Sequence, residues 1–414
     1  MRLKRLSVTN FRGIAHLELT FPETAQTTVL VGINGAGKSS VLDAIALALI
    51  HRGADRSGLH LRPEDIRAGQ SDFRVDVFAD YFSDGSHQSI NWDLRASLSD
   101  PQRHVFKSKA RSTPRTSRPD LMPAVAYYSV DRMVRGDRPE DPPDGIIDAG
   151  DLGIRSGSSD YATFFEWFEA REDLENELIR DQPSHREPEL EVVRRAIEVL
   201  LPGFRNLRVR RTRAQPGERP ERSRLVVTKG DQTLELGQLS HGERGLLAMT
   251  GDIARRLALV GPESLEPGMR PGIVLIDEID LHLHPQWQRE VVPRLEGAFP
   301  GVQFIVTTHS PQVVSQLHPD SVRILEDFAI VPNTPPTFGR DTNAILSEVM
   351  GVEERPRFAG ERLHEIARLM DEERWKEARA GLDALARDFG EHDSEILRLG
   401  TMIDILEAAP EAPE

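Results

Sequence analysis

The pattern of apolar and polar positions predicts β-structure in the first third of the chain. Residues 1–21 alternate with a period of two on either side of a short turn, as a β-hairpin does, and residues 72–82 show the same period. Residues 124–134 are predicted to form a buried strand. Residues 100–120 are basic, contain prolines and have few apolar positions, so we expect a loop there.

Helical periodicity dominates the middle and the end of the sequence. Residues 161–181 and 188–204 repeat their apolar positions at helical spacing, and residues 205–230 predict a further hairpin. Near the C terminus, two apolar stripes with helical spacing predict a small helical appendage. These stripes either pack on each other or bind a partner. Their members are Trp375, Ala378, Leu382, Leu385 and Phe389 in one, and Ile396, Leu399, Ile403 and Leu406 in the other.

A glycine-rich motif lies between a short apolar run, TTVLV, and a predicted helix at residues 39–50. The segment LVGINGAGKSS matches the pattern G-x-x-x-x-G-K-[ST]. Glycine allows backbone N–H groups to point at a phosphate, and a helix N-terminus adds partial positive charge. We expect Lys38 to reach the β and γ phosphates of ATP and the Ser39 hydroxyl to bind Mg²⁺. The predicted phosphate-binding residues are Asn34, Gly35, Ala36, Gly37, Lys38, Ser39 and Ser40.

An acidic pair follows the apolar residues 273–276. Asp277 and Glu278 lie at the carboxyl end of this predicted central strand, where α/β sheets place their chemistry. Asp277 would hold Mg²⁺ through water, and Glu278 would orient or deprotonate the water that attacks ATP. A buried acidic pair without a partner would be costly, whereas a pair that faces Mg²⁺ and phosphate is not. The two motifs together predict an enzyme that hydrolyses ATP.

Composition narrows the functional classes further. The chain has 414 residues, a net charge of −15 and no cysteine, which excludes disulfides and thiolate metal sites. No signal peptide and no membrane-length apolar run is recognisable, so we expect a cytoplasmic protein without membrane contact. Because the chain is acidic, DNA binding would need a local basic patch. The candidates for that patch are Lys107, Lys109, Arg111, Arg115, Arg208, Arg210, Arg211 and Arg213.

The segment LGQLSHGERGLLAM (residues 236–249) resembles the signature motif of the ABC ATPase superfamily, and it lies between the other two motifs. This resemblance implies that Ser240, Gly242 and Glu243 bind the γ-phosphate of a nucleotide held by the opposite subunit. It also implies that His309, at the end of a buried strand that begins at residue 302, senses the γ-phosphate. Gln70 is the candidate for the magnesium-binding glutamine of the superfamily.

The opening segment TNFRGI resembles the SMC, RecF and OLD-like branch of DNA-associated ABC ATPases. Within that branch, the chain has neither a long coiled-coil insertion nor a Toprim motif. It resembles most the compact anti-phage defence ATPases typified by PtuA of Septu systems, through stretches such as AYYSVDR, DEIDLHLHP and THSPQVV. That resemblance implies a homodimer or higher oligomer that acts with a separate HNH nuclease. It implies no nuclease activity in this chain alone.

These features predict an α/β fold, specifically a P-loop NTPase of the ABC type with a mixed sheet. An inserted helical and β lid region and a C-terminal helical appendage would complete it. We expect an N-terminal lobe at residues 1–95, the insertion at 96–215, a C-terminal lobe at 216–335 and the appendage at 336–414.

Three other functions stay open at the level of sequence. A RecF-like DNA repair or recombination ATPase would clamp duplex DNA itself, and a steep loss of DNA binding with salt would support it. A non-enzymatic scaffold would hold ATP as a structural ligand, although Glu278 argues against that interpretation. A transporter motor would need a coupling segment, and none is recognisable.

Overall fold

A computed structural model describes most of the chain. The described residues are 1–50, 61–83, 86–100, 105–113, 123–130, 161–211, 223–259, 265 and 269–407. Their packing divides the chain into two units, Met1–Met350 and Gly351–Glu414. None of the helices in the described part has the length and apolar content that a membrane span requires.

The centre of the first unit is a six-stranded sheet, with elements numbered in chain order. Its order is β14 (Ala329–Ile330), β13 (Val322–Glu326), β3 (Thr27–Val31), β12 (Val302–Thr308), β11 (Gly272–Ile276) and β7 (Ala124–Tyr128). All neighbours run parallel except β14, which pairs antiparallel with β13. The residues of β3, β7, β11 and β12 are all buried, as parallel strands covered on both faces should be.

A second sheet is antiparallel and contains the N terminus. Its order is β2 (Ile14–Thr20), β1 (Arg2–Phe11), β4 (Asp72–Ser83), β5 (Ser86–Asp100) and β6 (Val105–Thr113). The predicted hairpin of β1 and β2 is confirmed. The prediction of a loop at residues 100–120 is wrong for residues 105–113, which form β6. Backbone pairing with β5 satisfies the N–H and C=O groups of this basic segment. Lysine and arginine are suited to an edge strand, which they protect from further pairing.

Helices cover both faces of the core sheet. The helix α1 (Lys38–Ile50) packs between the two sheets, and on the other face α4 (His241–Leu259) packs on α2 (Tyr161–Asp181) and α3 (Pro188–Leu200). The predicted hairpin after α3 is confirmed as β8 (Phe204–Arg210) and β9 (Arg224–Lys229), which β10 (Gln232–Glu235) extends to three strands. The helix α3 ends at Leu200 rather than at residue 204, because Pro202 disfavours helix in the residue before it.

Alternate residues of the core strands face two separate apolar clusters. Val29 and Val31 of β3 lie in one cluster with residues of α4 and of α5 (Pro285–Ala298). Leu30, between them, lies in the other cluster with residues of α1 and the antiparallel sheet. The period-two geometry of the strands therefore builds one core on each face.

The described part of the second unit contains three helices, α8 (Arg357–Asp371), α9 (Trp375–Phe389) and α10 (Ser394–Glu407). Two shorter helices, α6 (Pro311–Val314) and α7 (Thr342–Glu348), precede them in the first unit. The two predicted stripes pack on each other in a single cluster, although Leu406 is exposed. The unit begins at Gly351, later than the expected boundary at residue 336. The reason is that α7 packs on α6 and buries Ile345 in the core of the first unit.

A buried ion-paired group joins α4 to the edge strand β7. Asp252 accepts hydrogen bonds from Arg255, from Arg256 and from the hydroxyl of Tyr128, the last over 2.8 Å. Burial alone would raise the pKa of Asp252, but the two guanidinium groups outweigh it and lower the pKa to about 2. The carboxylate is therefore charged whenever the protein is near neutral pH.

We expect Asp252→Asn to lower the free energy of unfolding by about 3–5 kcal/mol, because two buried guanidinium groups lose their counter-charge. Urea denaturation at neutral pH measures this change. The control Glu23→Ala removes only an exposed ion pair with Lys4 and should cost at most about 1 kcal/mol. Since the native pKa of Asp252 is depressed, its stabilisation is complete above about pH 4 and is lost as the pH falls towards 2. Equal losses for the two variants would contradict this account.

Candidate nucleotide-binding site

The glycine-rich loop between β3 and α1 is wound around the ammonium group of Lys38. Gly35 and Gly37 adopt φ angles of 84° and 101°, which glycine alone adopts without strain. The Lys38 Nζ donates hydrogen bonds to the carbonyl oxygens of Gly32 (2.9 Å) and Ile33 (3.0 Å). Burial lowers the pKa of Lys38, and nearby carboxylates oppose that shift. The loop therefore concentrates one positive charge at the N-terminus of a helix.

The other predicted phosphate-binding residues flank Lys38 in the sequence and differ in exposure. Asn34, Gly35 and Ser39 are exposed, Ser40 is half-buried, and Ala36 is buried. The first turn of α1 contains no acidic residue that could satisfy its N–H groups or repel an anion. The loop and helix start thus have the exposure and charge that a phosphate group requires.

Asp277 and Glu278 follow β11 directly, and a single hydroxyl fixes both. The Thr307 hydroxyl, at the end of the neighbouring strand β12, donates to Asp277 Oδ1 over 2.5 Å and accepts from the Glu278 N–H over 2.7 Å. The Asp277 N–H donates to the carbonyl oxygen of Tyr128 in β7 over 2.8 Å. Glu278 has a φ of 48°, an unusual conformation for a non-glycine residue that is often seen at functional sites.

His309 lies at the end of β12, beside the same group of charges. Burial lowers the pKa of His309, and the positive charge of Lys38 lowers it further, so the imidazole is neutral at neutral pH. Asp280 Oδ1 accepts hydrogen bonds from the Thr308 hydroxyl over 2.5 Å and from the His309 N–H over 3.4 Å. The negative charges of Asp277 and Glu278 favour the protonated forms of both Lys38 and His309. These four side chains therefore lie close together.

The predicted signature residues lie at the N-terminus of α4. Glu243 N–H donates to Ser240 Oγ over 3.3 Å, and Ser240 N–H donates to Glu243 Oε2 over 3.0 Å, which is a reciprocal helix cap. A side chain on Gly242 would collide with the carbonyl oxygen of His282, in the loop after Glu278. Among the described residues, no hydrogen bond connects Ser240 to Lys38, Asp277 or Glu278.

Gln70 and the basic patch are not joined to this site by the described contacts. The Gln70 side chain is exposed, and its backbone N–H donates to Arg67, so its role as a magnesium ligand stays a prediction. Among the basic candidates, Arg208 and Arg210 are exposed on β8, and Arg211 is ion-paired with Asp173. Lys107, Lys109 and Arg111 lie in β6, in a different sheet, whereas Arg115 and Arg213 lie outside the described residues.

Sequence reasoning missed the side chains that hold the site in place. The Tyr127 hydroxyl donates to Asp43 of α1 over 2.6 Å, on the opposite face of the sheet from the bond between Tyr128 and Asp252. Thr307 was missed as well. The available signal was a polar residue at the carboxyl end of an otherwise apolar strand, next to the acidic pair in a parallel sheet.

A comparison with known protein families gives a match over residues 27–315, to the family described as "AAA domain, putative AbiEii toxin, Type IV TA system". The chain belongs to this family. The matched range contains the glycine-rich loop, the signature segment, the acidic pair and His309. The chain is therefore a P-loop ATPase with the predicted α/β fold.

Two curated proteins and one solved structure illustrate what the chain is similar to. The chain is 27% identical to the "Retron Ec83 probable ATPase" of Escherichia coli, over 98% of this chain and 87% of the relative. A shorter stretch is 43% identical to the "Septu protein PtuA" of Bacillus mycoides, over 22% of this chain and 12% of that protein. A solved SMC head bound to the C-terminal winged-helix domain of ScpA matches with a TM-score of 0.49 and 16% identity, covering 80% of this chain and 98% of that one. The predicted resemblance to the PtuA-type ATPases is confirmed over the stretch that matches.

We expect Thr307→Val to lower kcat for ATP hydrolysis about 100-fold, because Asp277 and Glu278 lose the hydroxyl that fixes their geometry. The KM for ATP should change little, since the phosphate-binding loop is untouched. Steady-state phosphate release measures both constants. The matched control, Thr307→Ser, keeps the hydroxyl and should retain most of the activity. An unchanged kcat in the valine variant, or a loss confined to KM, would contradict this role.

Proposed function

We propose that ATP is bound between two copies of this chain and hydrolysed there, and that the cycle controls a partner protein. The observation that carries the proposal is the grouping of Lys38, Asp277, Glu278 and His309, while Ser240 lies exposed on another element. Lys38 and the loop N–H groups would bind the β and γ phosphates. A separate exposed cap with its own helix N-terminus is suited to a phosphate presented by another subunit.

The donor set fits a magnesium ion. Ser39 offers an exposed hydroxyl at the start of α1, and Asp277 offers a buried carboxylate that Thr307 holds in one orientation. Hydroxyl and carboxylate oxygens are the ligands that Mg²⁺ prefers, and Gln70 is a further candidate. Mg²⁺ bound there would neutralise charge on the phosphates and favour in-line displacement.

The protein's own groups then have distinct tasks. Glu278 has the task of orienting the attacking water. It is the second residue after the end of β11, and Thr307 fixes its backbone N–H. His309, which is neutral, can donate one hydrogen bond towards the γ-phosphate and so register its presence. The loop and Lys38 stabilise the charge that develops on the phosphoryl oxygens.

The exposed Ser240 at the start of α4 supports a head-to-head dimer. Ser240 and Gly242 of one chain would complete the site of the other, with Glu243 holding the cap in shape. Each ATP would contact both chains and therefore favour association. Hydrolysis would remove that linkage, so the nucleotide state would set the population of the closed dimer.

The partner proposed for this dimer is a separate HNH-type nuclease in an anti-phage defence complex. The similarity to the "Septu protein PtuA" supports a role in defence. The resemblance to PtuA supports the nuclease as the controlled component. A RecF-like clamp on duplex DNA is the second candidate, and the exposed Arg208 and Arg210 on β8 are the described residues that favour it.

Light scattering with and without Mg·ATP tests the dimer for wild type and for Glu278→Gln. We expect the variant to lose phosphate release and to form a stable dimer only when ATP is present, because bound ATP persists. Lys38→Ala is the matched control and should stay at the size of the nucleotide-free protein. A molecular size that ignores ATP, together with continued hydrolysis in Glu278→Gln, would contradict the proposal.

A further inference from the structure

The turn between β13 and β14 contains two consecutive residues in the left-handed region of backbone conformation. Asp327 has a φ of 46° and Phe328 a φ of 64°. A two-residue hairpin turn needs positive φ at both positions, which is why Asn-Gly and Asp-Gly are its usual sequences. A phenylalanine in the second position is strained, and such strain persists where surrounding contacts fix the residue.

The ring of Phe328 lies against two glycines from different sequence motifs. A side chain on Gly13, in the TNFRGI turn, would collide with the ring. A Cβ on Gly37 would approach the ring to 2.7 Å, closer than real contacts allow. The Phe328 N–H also donates to the carbonyl oxygen of Ala36 over 3.1 Å. The ring therefore touches both the N-terminal hairpin and the residue that precedes Lys38.

The strand before this turn supports the same loop. A side chain on Gly32 would collide with the carbonyl oxygen of Leu325, near the end of β13. The hairpin of β13 and β14 thus contacts the phosphate-binding loop at both glycines of the G-x-x-x-x-G-K pattern. Phe328 is half-buried and packs against the apolar cluster that contains α1, so the ring links the loop to that core.

We propose that Phe328 is a positioning residue for ATP binding, an inference that rests on the proposed role of this loop in holding ATP. Its ring holds Gly37 and the start of α1 in the conformation that presents Lys38 and the loop N–H groups to the phosphates. The strained turn is tolerated because it places the ring there. Removal of the ring should therefore weaken ATP binding more than it destabilises the fold.

The test compares Phe328→Gly with Asp327→Gly in the full chain, by calorimetric titration with a non-hydrolysable ATP analogue. Phe328→Gly should raise the Kd about tenfold, or about 1.4 kcal/mol. Its nucleotide-free melting temperature should stay close to that of wild type, because relief of the strained turn offsets the lost packing. The KM for ATP should rise while kcat at saturation is retained. Asp327→Gly relieves strain but keeps the ring, so its Kd should equal that of wild type.

A double-mutant cycle tests the contact itself. Gly13→Ala should weaken analogue binding in the wild-type background, where the ring fills that space, and should have less effect in a Phe328→Ala background. If Phe328→Gly does not fold, Phe328→Leu replaces the flat ring with an apolar side chain and should give a smaller rise in Kd.

An unchanged Kd in folded Phe328→Gly or Phe328→Leu protein overturns the inference, because the ring would then serve only core packing. That failure is distinguishable from failure of the proposed function. If wild type does not bind the analogue, or if Lys38→Ala binds it equally well, the proposed function fails and the inference fails with it.

Discussion

The neighbouring parallel strands β3, β12 and β11 have their carboxyl ends on the same side of the core sheet. The chemistry of the molecule depends on the residues that follow these ends. The register sets Val31 of β3 beside Thr308 of β12, and Ile276 of β11 beside Val306 of β12. The residues that follow these strands therefore meet, although they are far apart in the sequence. The phosphate-binding loop, the acidic pair and His309 all lie next to each other for this reason.

The edge strand β7 secures this arrangement from the side. Its adjacent tyrosines point to opposite faces of the sheet, where Tyr127 bonds to Asp43 of α1 and Tyr128 bonds to Asp252 of α4. The backbone of Tyr128 also accepts the N–H of Asp277. The short strand β7 thus contacts three parts of the site. These are α1, which begins at the phosphate-binding loop, α4, which begins at the signature segment, and the acidic pair. Asp252 of α4 and the backbone of Asp277 are thus linked through two hydrogen bonds of Tyr128.

The sequence predicted those parts of the site whose chemistry depends on local order along the chain. A glycine-rich loop before a helix and an acidic pair after an apolar strand are recognisable because each motif is continuous. Thr307, Tyr128 and Phe328 could not be recognised in this way, since their importance lies in contacts with residues distant in sequence. The same limit explains the error in β6, because pairing with β5 rather than local apolar periodicity makes that basic segment a strand. Gln70 shows the converse: its sequence position alone made it a candidate, and the described contacts do not join it to the site.

The central claim is that each ATP site takes residues from two chains. Mixing two inactive variants tests it most directly, with Lys38→Ala lacking the loop function and Ser240→Arg lacking the signature function. In a mixed dimer, the intact loop of one chain would face the intact signature of the other. Equal amounts should therefore recover about one quarter of wild-type ATP hydrolysis, because half of the random encounters pair one variant with the other and each such pair has one working site of two. A mixture as inactive as either variant alone, with both variants shown to be folded, would contradict the claim.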